Sequence, residues 1–227
     1  MIKFINNLKA SKLRSTSYQL NKGMTYVELI VVLSIFSVMT SVVLFNYAAF
    51  QAKVDIKNLA SDIALKIVEA QKSSLSGLLP PSSFSNQIDS LWKPSYGLYF
   101  NLKSVIDNKS FIYFTDLGVR DSPQNGLYDF GNSSCSIECL EVMDIKKGNS
   151  ISDLSVFYQG DTPNTSNPPL NDLTITFTRP NSGANIQSSQ IPLPLISPIS
   201  YVQIKITSPT GVTGIIKLYA SGRVQVN

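Results

Sequence analysis

The residue types that carry out most protein chemistry are scarce in this chain of 227 residues. There is no histidine, so neither a Ser/His/Asp triad nor a Cys/His pair can be assembled. The only cysteines are Cys135 and Cys139, and pairing them would remove thiol chemistry. The carboxylates show no spacing that selects a catalytic dyad, and a glycine-rich phosphate loop is absent. We therefore predict that the protein is not an enzyme.

Oxygen-bearing side chains gather in one turn-rich segment. Asp116, Asp121, Asn125 and Asp129 follow one another at short spacing. Carboxylate and amide oxygens are ligands for Ca²⁺, but this spacing is not that of an EF-hand loop. Asp and Asn are also ordinary turn residues. The favoured interpretation is a turn, with calcium as the alternative, and no other cofactor is predicted.

Glu28 stands immediately before a long apolar segment. The 24 residues between Glu28 and Lys53 contain no charged side chain. As a helix they would span about 36 Å, enough to cross the hydrocarbon core of a bilayer. A carboxylate at the head of such a segment is costly in hydrocarbon, so it calls for a partner charge.

The residues around Glu28 resemble a known processing site. Gly23, Met24, Thr25 and Glu28, followed by an unbroken apolar helix, resemble the N-terminal motif of type IV pilins and type II secretion pseudopilins. The resemblance implies that a membrane-bound prepilin peptidase cuts after Gly23 and methylates Met24. It also implies that Glu28 is retained as the fifth-position acid. Met24 stands where the family more often has Phe.

Cleavage before Met24 would also supply the missing charge. It creates an α-ammonium group four residues from Glu28. When such helices bundle, the ammonium group of one subunit can neutralise the carboxylate of its neighbour. This pair would fix the packing register, because an unpaired buried charge costs far more than a paired one. An ordinary signal anchor with an isolated acid is the alternative.

The first 23 residues predict the orientation of the chain in the membrane. They carry five basic side chains and no acid, which favours a cytoplasmic N-terminus and an exported remainder. No A-x-A-like cleavage site follows the apolar run, so we expect the span to be retained. The predicted location is the inner membrane, crossed once, and then a filament.

The net charge gives little support for nucleic acid as a partner. Without the leader, 14 basic side chains face 15 acidic ones. Lys205, Lys217 and Arg223 could lie together near the C-terminus, but three cations are usually a solvated face. We expect weak binding to duplex DNA or none.

An exported location allows Cys135 and Cys139 to form a disulfide. Fully extended, their Cα atoms would be about 13 Å apart, so the chain must turn between them. A metal site would need more ligands and the chain has no histidine. The favoured interpretation is a disulfide that fixes one short loop.

Apolar periodicity extends the helix beyond the membrane segment. One helical face is predicted from Leu59, Ala60, Ile63, Ala64, Ile67 and Val68. Asp62 and Lys66 have the i,i+4 spacing of an ion pair on the opposite side. The pattern fades over 73–77, and Pro80-Pro81 prevents continuation. We expect one helix over about 24–76, transmembrane over about 29–50.

Beyond residue 77 the apolar period changes to that of strands. The pattern predicts strands at 96–102, 111–117, 140–145, 154–158 and 173–178, then a meander at 201–207, 215–219 and 223–226. The strand at 173–178 alternates with threonine and is predicted to be half-buried. The expected fold class is α+β: a long N-terminal helix packed on an antiparallel, β-rich, pilin-like head at 77–227. The head could form one sheet or two.

Looser patterns narrow the resemblance. The stretches SDIALKIVEAQ at 61–71, YGLYF at 96–100, FIYFTD at 111–116 and ASGRV at 220–224 resemble the GspH/FimT-like branch of pseudopilins and minor pilins. The resemblance implies a structural subunit of a type IV pilus or type II secretion pseudopilus. Its expected partners are the prepilin peptidase, other pilins or pseudopilins, the inner-membrane assembly platform and membrane lipid. Two alternatives stay open: a membrane-anchored binding module that does not polymerise, and a DNA-binding minor pilin of an uptake filament.

Overall fold

A computed structural model describes residues 23–81, 92–103, 107–118, 124–129, 135, 137–161, 168–191 and 198–227, without the side chains of 45, 46 and 107. The predicted leader up to residue 22 and the calcium candidate Asp121 lie outside these residues. The described residues form one long helix, a 3₁₀ turn and nine strands in two antiparallel sheets. The fold class is therefore α+β, as predicted.

The helix α1 spans Tyr26–Leu75. At its C-terminal end Gly77 adopts a φ of 72°, in the left-handed region. Leu78 N donates to Ser73 O at 3.1 Å, and Gly77 N donates to Ser74 O at 3.1 Å. These are the two hydrogen bonds of a Schellman motif, which satisfies the last carbonyl groups of a helix. The predicted C-terminal end is confirmed.

The described chain divides into two compact units. The first ends at Phe45, and the second runs from Asn46 to Asn227. The second unit holds the C-terminal part of α1 together with both sheets. Part of the long helix therefore belongs to the same compact body as the strands.

Nine strands build the two sheets. They are β1 (Ser95–Asn101), β2 (Ser110–Thr115), β3 (Cys139–Asp144), β4 (Ser150–Tyr158), β5 (Asp172–Thr178), β6 (Asn185–Gln187), β7 (Ile199–Thr207), β8 (Thr213–Tyr219) and β9 (Val224–Val226). The first sheet has the order β3-β2-β1-β5-β6, and the second has the order β4-β7-β8-β9. The sequence left open whether the head forms one sheet or two, and the described residues form two. Only β6 has no counterpart among the predicted strands.

The main core combines α1 with one face of each sheet. The helix contributes Ile56, Ala60, Ile63, Ile67 and Ala70, all buried. This stripe is rotated relative to the predicted face. Leu59 and Ala64 are only partly buried, and Val68 is 46% exposed. These three side chains are therefore less buried than the sequence predicted.

Lys66 does not form the predicted ion pair with Asp62. Its Nζ lies 3.1 Å from Glu69 Oε2 and 3.0 Å from Glu141 Oε2. It also lies 5.3 Å from the ring centroid of Tyr113. Lys66 therefore connects α1 to the first sheet, because β3 offers a carboxylate that helical spacing could not reveal.

The prediction that β5 is half-buried was also wrong. Thr174 and Thr176 are 1% and 0% exposed. The face that they occupy is covered by the segment around Gly126, whose carbonyl accepts a hydrogen bond from Thr176 Oγ1 at 3.2 Å. A second apolar cluster lies on this side of the sheet and contains Tyr99, Phe114, Tyr128 and Cys139. The first sheet is therefore covered on both faces.

Candidate functional site

The residues of the predicted processing site lie at the start of α1. Gly23 and Met24 precede the helix and are exposed. Thr25 occupies the N-cap position, since its carbonyl accepts the first helical hydrogen bond from Leu29 N at 3.1 Å. A methyl group added at Gly23 would meet no atom within 4 Å. The peptide bond after Gly23 thus lies in an exposed, non-helical segment.

Thr25 and Glu28 form a capping box. Glu28 N donates to Thr25 Oγ1 at 3.2 Å, and Thr25 N donates to Glu28 Oε2 at 3.1 Å. Thr25 Oγ1 also donates to the same carboxylate oxygen at 3.0 Å. This reciprocal arrangement satisfies two backbone N–H groups that a helix start would leave free.

The capping box was missed in the sequence, although its signal was present. The pattern T-x-x-E at 25–28 is the usual signature of this motif. It gives Glu28 a local partner within its own subunit. The carboxylate is therefore stabilised at the helix start by a residue of its own chain.

The helix that follows Glu28 has an apolar surface all round. Large apolar side chains from Leu29 to Leu44 are exposed on every side of it, including Val31, Phe36, Met39 and Val43. A helix that is apolar all round needs lipid or other helices around it. One helix near the N-terminus is thus long and apolar enough to span a membrane.

The calcium candidates that the structure describes are used mainly to fold a loop. Asp116 is 2% exposed, and its Oδ2 accepts a hydrogen bond from Gly126 N at 2.8 Å. Asp129 Oδ1 accepts one from Asn125 Nδ2 at 3.3 Å. Within the described residues, no group of three acidic, cysteine or histidine side chains has the arrangement of a metal site. Asp121 lies outside the described residues, so the calcium hypothesis stays a prediction.

Glu138 is a buried acid that the sequence did not single out. Its Oε1 accepts a hydrogen bond from Leu117 N at 3.0 Å, and its Oε2 accepts one from Asp129 N at 2.9 Å. Burial raises the pKa of Glu138 to about 7 and that of Asp116 to about 6, and the backbone donors only partly offset this effect. Repulsion from Asp129 raises the pKa of both acids further, and repulsion from Asp116 also raises that of Glu138. The position of Glu138 beside Cys139 in the sequence gives no sign that it is buried and bonded to the loop. Only the fold shows this.

The predicted disulfide between Cys135 and Cys139 is confirmed. The two Cα atoms are 5.2 Å apart, so the chain does turn between them. Cys139 begins β3 and packs with Tyr99, Phe114 and Tyr128. The bond therefore ties the incoming loop to the second apolar cluster.

The three C-terminal cations share one face of the second sheet. In the pairing of β7 with β8, Gln203 lies opposite Lys217 and Lys205 lies opposite Ile215. Directly opposed residues in antiparallel strands point to the same side. The turn after β8 carries Arg223 over the ring of Tyr219, at 4.1 Å from the centroid. This face of the second sheet points away from the core, into which the alternate residues of β7 and β8 point.

Comparison with family models, curated proteins and solved structures finds no significant match to this chain.

Proposed function

We propose that this protein is a structural filament subunit, a minor pilin or pseudopilin. In this proposal a prepilin peptidase cuts after Gly23, the new N-terminal Met24 is methylated, and α1 enters a bundle of equivalent helices. The observation that carries the proposal is the constellation of Gly23, Met24 and Glu28 directly ahead of an apolar helix. A simple membrane tether would need neither the cleavage site nor the acid.

The geometry of α1 supports this assignment. Its first part exposes apolar side chains on all sides, as a helix surrounded by lipid or by other helices requires. Its later part buries a narrow stripe in the core of the second unit. One continuous element would thus link a bundle-forming segment to a head domain. Contacts between equivalent helices that are head-to-tail and do not close into a ring would generate a filament.

The capping box gives Glu28 two successive roles in this proposal. In the membrane-stored subunit, Thr25 satisfies the carboxylate locally, at 3.0 Å and 3.1 Å. In the bundle, the α-ammonium group of a neighbouring subunit would provide the opposite charge. A buried, paired charge fixes register because the unpaired alternative is costly.

The first experiment measures the intact mass of the membrane-extracted protein with and without co-expressed prepilin peptidase. We expect a peptidase-dependent loss of residues 1–23 and one added methyl group on Met24. Gly23→Ala is the control for recognition, because an added methyl group meets no atom within 4 Å and should leave the fold intact. An unchanged mass of the wild-type chain would overturn the proposal.

A pair of variants separates the charge of Glu28 from its capping role. Glu28→Gln keeps the capping box, since glutamine serves at that position, but removes the charge. Thr25→Ala removes the hydroxyl of the cap but keeps the acid. We expect Glu28→Gln to lose incorporation into filaments and Thr25→Ala to retain most of it. The reverse order would show that Glu28 acts only as a helix cap.

In this proposal the protein crosses the inner membrane once, its head is exported, and its partners are the assembly platform and other pilins. The competing function is a membrane-anchored binding module that does not polymerise. It predicts an unprocessed chain and no incorporation of the wild-type protein into filaments.

A further inference from the structure

The segment 124–129 lies on the face of the first sheet that points away from the main core, and we call this segment the cover. Gly126 O accepts a hydrogen bond from Thr176 Oγ1 at 3.2 Å, and Asn125 O accepts one from Gln187 Nε2 at 3.2 Å. The main core lies on the other face of the same sheet. The strands therefore separate the cover from the main core.

The apolar contact between the cover and the sheet is small. The ring centroid of Tyr128 lies 5.2 Å from that of Tyr99 and 5.3 Å from that of Phe114. Tyr128 is the one residue that the cover contributes to this second apolar cluster, and Leu127 beside it is 36% exposed. Segments with few buried apolar contacts open at a lower free energy than the core of a domain. Polar contacts must therefore do much to keep the cover closed.

Two buried acids make those polar contacts. Asp116 Oδ2 accepts a hydrogen bond from Gly126 N at 2.8 Å, and Glu138 Oε2 accepts one from Asp129 N at 2.9 Å. Burial raises the pKa of Asp116 to about 6 and that of Glu138 to about 7. Above these pH values the closed cover buries charged groups that water would solvate if the cover opened. The cost of this burial offsets part of what the hydrogen bonds contribute.

The disulfide restricts the chain that leads into one of these acids. It joins Cys135, which is exposed, to Cys139, which is buried in the second apolar cluster, and Glu138 lies between the two. The register of β2 with β3 shifts between Tyr113 and Phe114, opposite the start of β3. The covalent bond thus lies where the strand pairing is irregular. It limits how far the Glu138 carboxylate can move away from the cover.

We propose that this disulfide is a redox switch for the cover: it keeps the cover closed when oxidised, and its reduction by a dithiol opens the cover while the main core stays folded. A thiolate of the dithiol attacks the exposed Sγ of Cys135, and Sγ of Cys139 leaves. The second sulfur of the reductant then displaces Sγ of Cys135 and closes a cyclic disulfide. The two protons of the dithiol pass to the two cysteine sulfurs.

Opening of the cover would expose a surface that the oxidised protein closes. Thr174, Thr176 and Phe114 are fully or almost fully buried beneath it. The switch would therefore control access to this face of the first sheet. It goes beyond the proposed filament function and does not depend on it, because a chain that is never cleaved contains the same disulfide and the same cover.

The test compares the full chain in detergent micelles with and without dithiothreitol over a series of urea concentrations. Pulse labelling by hydrogen exchange, read by mass spectrometry, measures the open fraction of the cover and of the strands β7 and β8 separately. Trp92 gives a second probe by its fluorescence. It is the only tryptophan of the chain, and its Nε1 donates a hydrogen bond to Asp116 O at 2.8 Å.

We expect reduction to raise the opening constant of the cover roughly thirtyfold, which is the factor that chain entropy gives for the five residues from Cys135 to Cys139. The cover of the reduced chain should then open at a lower urea concentration than β7 and β8 do. Simultaneous opening in the reduced chain would overturn the proposal, because the bond would then stabilise the head only as a whole. An opening constant that does not respond to dithiothreitol would overturn it as well.

Two variants complete the test. Cys135→Ala/Cys139→Ala should behave as the reduced wild-type chain does, with and without dithiothreitol. Ile63→Ala weakens the main core but keeps the disulfide, so its cover and strands should open together. Separate opening in Ile63→Ala would show that any loss of stability releases the cover, which would contradict the switch. The reduced wild-type chain keeps every side chain, so the outcome does not require either variant to fold.

Discussion

Asp116 and Glu138 fold their loop at the cost of two buried carboxyl groups. Each accepts hydrogen bonds from backbone N–H groups, which supports the ionised form, yet burial, with repulsion from neighbouring carboxylates, raises the pKa of Asp116 to about 6 and that of Glu138 to about 7. The charged group that acts on both is Asp129. These acids therefore connect stability to pH near neutrality.

We expect the free energy of unfolding to fall as pH rises from about 5 to 8. An acid whose pKa is higher in the folded state binds its proton more tightly there, so the stabilisation is complete below the unfolded pKa of about 4 and is lost as pH rises through 6 and 7. The pKa of Asp55 is lowered by Lys147, so Asp55 titrates below this window. Urea unfolding at several pH values between about 5 and 8 measures how the free energy of unfolding depends on pH.

Glu138→Gln should reduce that slope because it removes one of the two titrating groups. It should keep one of the two backbone hydrogen bonds, since the amide has a single acceptor oxygen. Asp62→Asn, at an exposed position, is the control and should leave the slope unchanged. A pH-independent wild-type chain, or an unchanged slope in Glu138→Gln, would contradict this prediction.

The disulfide should contribute modestly to stability because it closes so short a loop. For the five residues from Cys135 to Cys139, chain entropy gives roughly 2 kcal/mol. We expect Cys135→Ala/Cys139→Ala to lower the free energy of unfolding by about that amount, measured by urea unfolding without reductant. Reductant should produce a similar loss in the wild-type chain and none in the variant. A loss in the variant under reductant would show that the effect is not due to this bond.

Within α1, the buried stripe and the exposed side make different contributions to stability. Ile63 is fully buried, whereas Leu65, two residues away on the same helix, is 66% exposed. We expect Ile63→Ala to cost about 2 to 5 kcal/mol, through lost apolar contact and the cavity that remains. Leu65→Ala should change stability by less than about 0.5 kcal/mol. Urea unfolding of both variants measures the difference. Equal losses of unfolding free energy would contradict the burial of Ile63 in the core.

The elements were predictable from sequence where local signals were sufficient. The end of α1 follows from Gly77 and Pro80, and eight of the nine strands overlap predicted segments. The strand β6 was missed because it has three residues and only Ile186 is apolar. Its position depends on pairing with β5, which a local pattern cannot show.

Errors at single residues have the same cause. Thr174 and Thr176 look like the solvated side of a strand, yet a loop from elsewhere in the chain covers them. Lys66 has a suitable acid at helical spacing but bonds to Glu141, which lies 75 residues away. Glu138 was not singled out in the sequence, because a glutamate beside a cysteine carries no local sign of burial. Tertiary contacts decided each case. The capping box at Thr25, by contrast, is a local pattern and could have been predicted.

At the scale of the whole molecule, most of the large exposed apolar side chains among the described residues belong to one segment. They lie mainly between Met24 and Phe50, whereas the unit that begins at Asn46 has its own core. The need for lipid or a helix bundle should therefore reside in the N-terminal part of α1. The β-rich part should be soluble without it, provided that the core-forming stripe of the helix is kept.

Two truncations test this division. A chain of residues 51–227 keeps the whole stripe from Ile56 to Ala70, and we expect a monomer that unfolds cooperatively without detergent. A chain of residues 66–227 loses Ile56, Ala60 and Ile63. Each buried isoleucine is worth about 2 to 5 kcal/mol, so this loss approaches the roughly 5 to 15 kcal/mol that stabilises a typical domain. The shorter chain should therefore fail to fold. Light scattering and urea unfolding give the answer: aggregation of 51–227 would mean that the head itself needs a partner surface, and a folded 66–227 would mean that the helix is not part of the core.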